Sequence, residues 1–124
     1  MKLPTINEKK DVENWFRDLR DSICNSFEEI ERNHQNSLIK KKPGKFIKKK
    51  WHRLKSKTKG GGGEMAIMKG RIFEKVGVNI STVYGKFPKD FKNQIPGCEK
   101  NANFWAAGIS LVAHMHSPFI TAVH

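Results

Sequence analysis

Ser110, His114, His116 and His124 are the residues whose types and spacing could do chemistry. In an extended strand successive side chains alternate between faces, so Ser110 and His114 fall on the same face, roughly 13 Å apart at a rise of about 3.3 Å per residue. They cannot touch, but they could line the two ends of one elongated pocket. If the residues after Ser117-Pro118 fold back as a hairpin arm, His124 joins that face. Imidazoles grouped in this way could ligand a metal or move protons near neutral pH; equally, they could be hydrogen-bonded or exposed histidines with no chemical task. A second feature is Gly60-Gly61-Gly62-Gly63, where backbone N–H groups could approach an anion closely. It lacks the Gly-Lys-Ser/Thr ending of a phosphate loop, and a flexible linker is the plainer reading. Flanked by Arg53, Lys55, Lys57, Lys59 and Lys69, the tract would suit a ligand with several carboxylates.

Those residues need elements to hold them. Phe104 to His114 reads as a long strand, with Trp105, Ala107, Ile109, Leu111 and Ala113 on an apolar side and Phe104, Ala106, Gly108, Ser110, Val112 and His114 on the other. Met65 to Met68, Arg71 to Val76 and Val78 to Val83 read as further strands, with Gly70, Gly77 and Gly85 as breaks, and Phe119 to His124 as the returning arm. Residues 9–33 carry Val12, Trp15, Phe16, Leu19, Ile23, Phe27 and Ile30 at steps of three and four, which predicts an amphipathic helix lying on one face of the sheet. Residues 34–63 are basic and Gly-rich, either a solvated loop or in part an edge strand whose lysines discourage intermolecular pairing. The expected architecture is α+β: a single domain, residues 1–124, with one long helix on an antiparallel sheet.

With 124 residues, 37% of them hydrophobic and 29% charged, the chain has room for one small core. The net charge of +12 invites a nucleic-acid reading. The surplus is concentrated between Lys40 and Lys59, however, where only Phe46 and Trp51 could stack on bases, so a small basic RNA- or polyanion-binding module is the second reading. Cys24 and Cys98 lack metal-ligand spacing and are expected to be free thiols in a reducing compartment. No membrane-spanning run and no signal-peptide apolar region occur, so a cytoplasmic protein without membrane or nucleic-acid partners is expected.

Several motifs in one order sharpen this reading. They are Leu19-Arg20-Asp21-Ser22-Ile23-Cys24, the tryptophan and glycine tract, Phe73-Glu74-Lys75-Val76-Gly77-Val78-Asn79-Ile80-Ser81, Gly108 to His114, and His124 ten residues on. The ordered set resembles the N-terminal part of the oxygen-dependent coproporphyrinogen-III oxidases. The resemblance implies a cytoplasmic homodimeric enzyme of haem biosynthesis that converts coproporphyrinogen III to protoporphyrinogen IX. It does so by oxidative decarboxylation of two propionates, with molecular oxygen as co-substrate, no organic cofactor and a possible divalent cation. It also implies roles: Ser110 in contact with substrate, His114 as a metal ligand, and His124 as proton donor and metal ligand. Two departures stand out. His114-Met115-His116-Ser117-Pro118 replaces the family's His-Pro-x-Asn-Pro, and Thr121 stands where the family has proline. On this resemblance the chain is expected to be a truncated fragment that is inactive alone.

Overall fold

Thr5 and Glu8 start the structure's one long helix with a reciprocal capping box. The Thr5 hydroxyl accepts from the Glu8 N–H at 3.2 Å, and the Glu8 carboxylate accepts from the Thr5 N–H at 2.6 Å. Helix α1 therefore runs Ile6–Asn33, three residues earlier than its apolar period suggests. The structure, a computed structural model, describes residues 2–35, 38–54, 56, 59–91 and 93–124. Lys55 and Lys57, expected beside the glycine tract, lie outside the described residues.

Among the described residues four strands form one antiparallel meander in the order β1-β2-β3-β4, with β1 at Ile47–His52, β2 at Lys59–Met68, β3 at Phe73–Lys86 and β4 at Asn103–Met115. The basic segment thus contributes an edge strand. Several boundaries differ from expectation. The four glycines are neither loop nor linker but the first half of β2. They are accommodated there because Gly61 adopts φ +101° and the Trp51 ring covers Gly63, where an added Cβ would sit 2.8 Å from the indole. Gly77 and Gly85 break nothing: β3 runs through both, and the real turn lies at residues 69–72. The residues after Ser117 form no strand arm; Val123 alone pairs back, in a bridge to Ala113.

The sheet face toward α1 holds the core. Ala66, Met68, Phe73, Val76, Val78 and Ala113 are buried there with Cys24, and Ile109, Leu111 and Phe27 pack against them, as strand alternation predicts. Phe27 meets Phe73 edge to face at 4.9 Å. The buried line of the helix follows the apolar stripe read from sequence only in part: Ile23 and Phe27 face the core. Val12, Trp15 and Ile30 are exposed, whereas Arg20 and Glu31 are sealed at 2% and 0% exposure.

Both charges are matched. Arg20 pairs with Glu64 at 2.8 Å and Asp21 at 2.7 Å. Glu31 accepts four backbone N–H bonds: from Gly44 and Arg71 on one oxygen, and from Ile72 and Phe73 on the other, at 2.8–3.0 Å. Burial pushes the Glu31 carboxyl upward, but the four donors outweigh it and hold the group below its ordinary range. Arg71 completes the joint, its guanidinium donating to the Glu31 and Arg32 carbonyls that the helix end leaves open. The last turn of α1 is thereby fixed to the turn that launches β3.

Candidate active site

Alternation along β3 and β4 sends a second set of side chains to the face that α1 does not cover. The register aligns Asn79 with both Met65 and Ser110, Gly77 with Val112, and Lys75 with His114. A bulge between Phe73 and Lys75 supplies one extra residue, so Glu74 and Lys75 both edge the same space. Ser110 and His114 line one concavity of about 540 Å³ with these residues. Its floor is bare at Gly77, where an added Cβ would meet nothing within 4 Å. Trp51 reaches toward it from β1 and donates from Nε1 to Asn79 Oδ1 at 3.0 Å, which fixes the amide.

His124 comes to the same corner. Ala113 and Val123 exchange two backbone hydrogen bonds, at 2.8 and 2.9 Å, and the residues that follow each of them meet: His114 Nε2 lies 3.1 Å from His124 Nε2. The rings are 5.2 Å apart between centroids and tilted by 41°. An N···N contact at this distance has one ring donating from Nε2 and the other presenting its Nε2 lone pair. His116 does not join them. Its Nε2 bonds the Gly70 carbonyl at 3.0 Å, which assigns the hydrogen to that nitrogen and directs the ring to the Glu31 turn.

The glycine tract also lies apart from this corner. Gly61, Gly62 and Gly63 edge a different concavity of about 490 Å³, on the α1 side of the sheet. Lys75 lines the concavity with Ser110 and His114, and sequence reasoning missed its place along with those of Asn79 and Trp51. The signal was present in Phe73 to Ser81, but only the strand register shows which of those side chains share a face with His114.

A divalent cation fits this corner only in part. Two imidazole nitrogens ligating one ion at about 2.0–2.1 Å stand roughly 3 Å apart, as here. Among the described residues no group of three His, Cys, Asp or Glu side chains is placed to hold a metal, and zinc sites use three or four protein ligands.

Residues 11–124 match the family described as coproporphyrinogen III oxidase. The chain belongs to that family. It is 50% identical over 119 residues to the oxygen-dependent coproporphyrinogen-III oxidase of Rickettsia felis, covering 96% of this chain and 41% of that protein. The enzymes of the same description from Rickettsia africae and Rickettsia bellii are 50% and 53% identical over 119 and 110 residues. The chain spans about two fifths of the length of these relatives. The described residues include no helix long and apolar enough to cross a membrane.

Proposed function

We propose that the uncovered sheet face is one wall of the site of an oxygen-dependent coproporphyrinogen-III oxidase, a cytoplasmic homodimeric enzyme that forms protoporphyrinogen IX. The observation that carries this reading is the convergence of Ser110, Lys75 and His114 on one concavity, with His124 in contact with His114, in a chain of this family.

The substrate is a flexible cyclic tetrapyrrole with four propionates. Conversion of a propionate to a vinyl group releases carbon dioxide and passes two electrons and two protons to dioxygen, so no organic cofactor is required. The bare floor at Gly77 and the apolar sides of Met65 and Val112 suit a flat macrocycle. Lys75 offers an ammonium to a propionate. Ser110 Oγ can accept from a pyrrole N–H, since a hydroxyl keeps lone pairs free. The His114–His124 pair can take or return one proton at Nε2 as the propionate side chain reacts. A divalent cation, if bound, would have these two imidazoles as ligands and would need further ligands from outside the described residues.

A chimera tests this reading. The 119 matched residues of the Rickettsia felis enzyme are replaced by this chain, and protoporphyrinogen IX formation is followed under air. The expected result is turnover that falls at least about 100-fold with His124→Ala, the scale of a lost general acid–base group. A folded chimera that converts substrate equally well with His124→Ala and His114→Ala would overturn the assignment.

A further inference from the structure

The opposite edge of the sheet has a different character. Between Arg32 and Gly63 the sequence contains no Asp or Glu, while lysines and arginines recur throughout. The described part of this run includes β1, the edge strand, which among the described residues pairs with β2 alone. Lys40, Lys41, Lys42 and Lys45 are exposed ahead of β1 and Lys49 and Lys50 on it, while Lys48 is held by Asp21 at 2.7 Å.

Large aliphatic side chains stand out among these charges: Ile47 at the start of β1 is 76% exposed and Leu54, just beyond its end, is 94% exposed. The aromatic residues that could stack on nucleic-acid bases are otherwise engaged. Phe46 is half-buried and packs against the core, and Trp51 is half-buried over Gly63 with its indole N–H on Asn79. Exposed aliphatics among uncompensated lysines match the chemistry of an anionic bilayer surface, where acyl chains receive the former and headgroups the latter.

We propose that the β1 edge is a peripheral docking surface for an anionic lipid bilayer, with Ile47 and Leu54 seated at the headgroup boundary and the flanking lysines against headgroup charge. Such attachment needs no spanning helix. The His114 corner is at the other end of the sheet order from β1. Each lysine close to an anionic leaflet strengthens attachment by roughly fivefold, and several act together.

The test is co-sedimentation of the full chain with vesicles at roughly physiological ionic strength. One set is phosphatidylcholine alone and the other contains roughly a third phosphatidylglycerol, enough to set up a negative surface potential. Binding is expected to the second set only. The paired change Ile47→Ser and Leu54→Ser should weaken it about tenfold, since two aliphatic side chains no longer leave water, while binding of polyuridylate RNA stays unchanged. Lys41→Gln with Lys49→Gln should weaken both. As a second readout, Leu54→Cys labelled with an environment-sensitive dye should shift its emission to the blue on anionic vesicles. Failure to bind anionic vesicles, undiminished binding by the serine variant, tighter binding to RNA than to vesicles, or a dye that stays in water would each overturn the proposal. Because the readout is vesicle binding, failure here leaves the tetrapyrrole reading untouched.

Discussion

Gly70 lies so close to Glu31 that a methyl group added at Gly70 would enter the space of the Glu31 carboxylate. That carboxylate also holds the N–H groups of Gly44, Arg71, Ile72 and Phe73, so one buried side chain ties the end of α1 to two separate turns. Its removal strands several buried donors at once. Glu31→Ala is expected to cost about 3–5 kcal/mol, the range for breaking a buried charged network. Denaturant unfolding followed by circular dichroism measures it, and a loss below about 1 kcal/mol would show that the turns hold without the carboxylate.

The glycines of the sheet should split into two classes. Gly70→Ala forces a shift in the Glu31 joint and should destabilise by about 1–3 kcal/mol, as overpacking does. Gly77→Ala meets open space and should be neutral or stabilising by about 0.5 kcal/mol, because it lowers the entropy of the unfolded chain. The same unfolding measurement ranks the two, and equal costs would contradict the packing described.

Acid sensitivity follows from the same joint. The folded-state pKa of Glu31 is depressed from its ordinary value of 4.5, burial being outweighed by the four backbone donors. A depressed carboxylate contributes stability that is present in full above the unfolded pKa and is lost as pH falls through the folded pKa. Stability should therefore decline from about pH 4.5 downward, and Glu31→Gln should flatten that part of the profile. Parallel pH profiles for the two proteins would contradict the assignment.

Cys24 should be chemically quiet. Burial against the core pushes its thiol up to about 11, despite the nearby Arg20 and Lys48. At neutral pH roughly one thiol in ten thousand is then ionised. Alkylation mapped by mass spectrometry should leave Cys24 unmodified in the folded chain at pH 7 and modify it promptly in denaturant.

Much of this architecture was legible in the sequence, for reasons that are local. The 3.6-residue period of Phe16, Leu19, Ile23 and Phe27 predicts α1, and the alternation of Ile109, Leu111 and Ala113 predicts which face of β4 it covers. The errors arose where long-range partners override local preference. Glycines read as punctuation, yet Gly60 to Gly63 lie in a strand because Trp51 and the neighbouring β3 backbone leave no room for side chains. Charged residues read as surface, yet Arg20 and Glu31 are buried because Glu64 and four peptide N–H groups meet them. The pairing of His124 with His114 needed the bridge at Ala113 and Val123, and the exclusion of His116 needed the Gly70 carbonyl. Neither contact has a signature in residue order.

The concavity beside Ser110 is open to solvent, with Ser110, His114 and His124 all exposed. Chemistry that depends on orienting the substrate and excluding water should be slow under such conditions. The chain alone is expected to form protoporphyrinogen IX under air no faster than the reaction without protein. Product formation above that background, abolished by His124→Ala, would show that this face is sufficient by itself.

The most direct measurement is the binding of coproporphyrin III, the air-stable oxidised form of the proposed substrate, followed by its Soret absorbance and by the imidazole signals of the chain. The account predicts saturable binding that shifts the His114 and His124 signals and leaves His34 in place. Affinity should fall about tenfold or more in Ser110→Ala and in Lys75→Gln, and remain unchanged in His116→Gln. Binding that leaves the His114 and His124 signals unmoved, or that is indifferent to Ser110→Ala and Lys75→Gln, would contradict the placement of the site on this face.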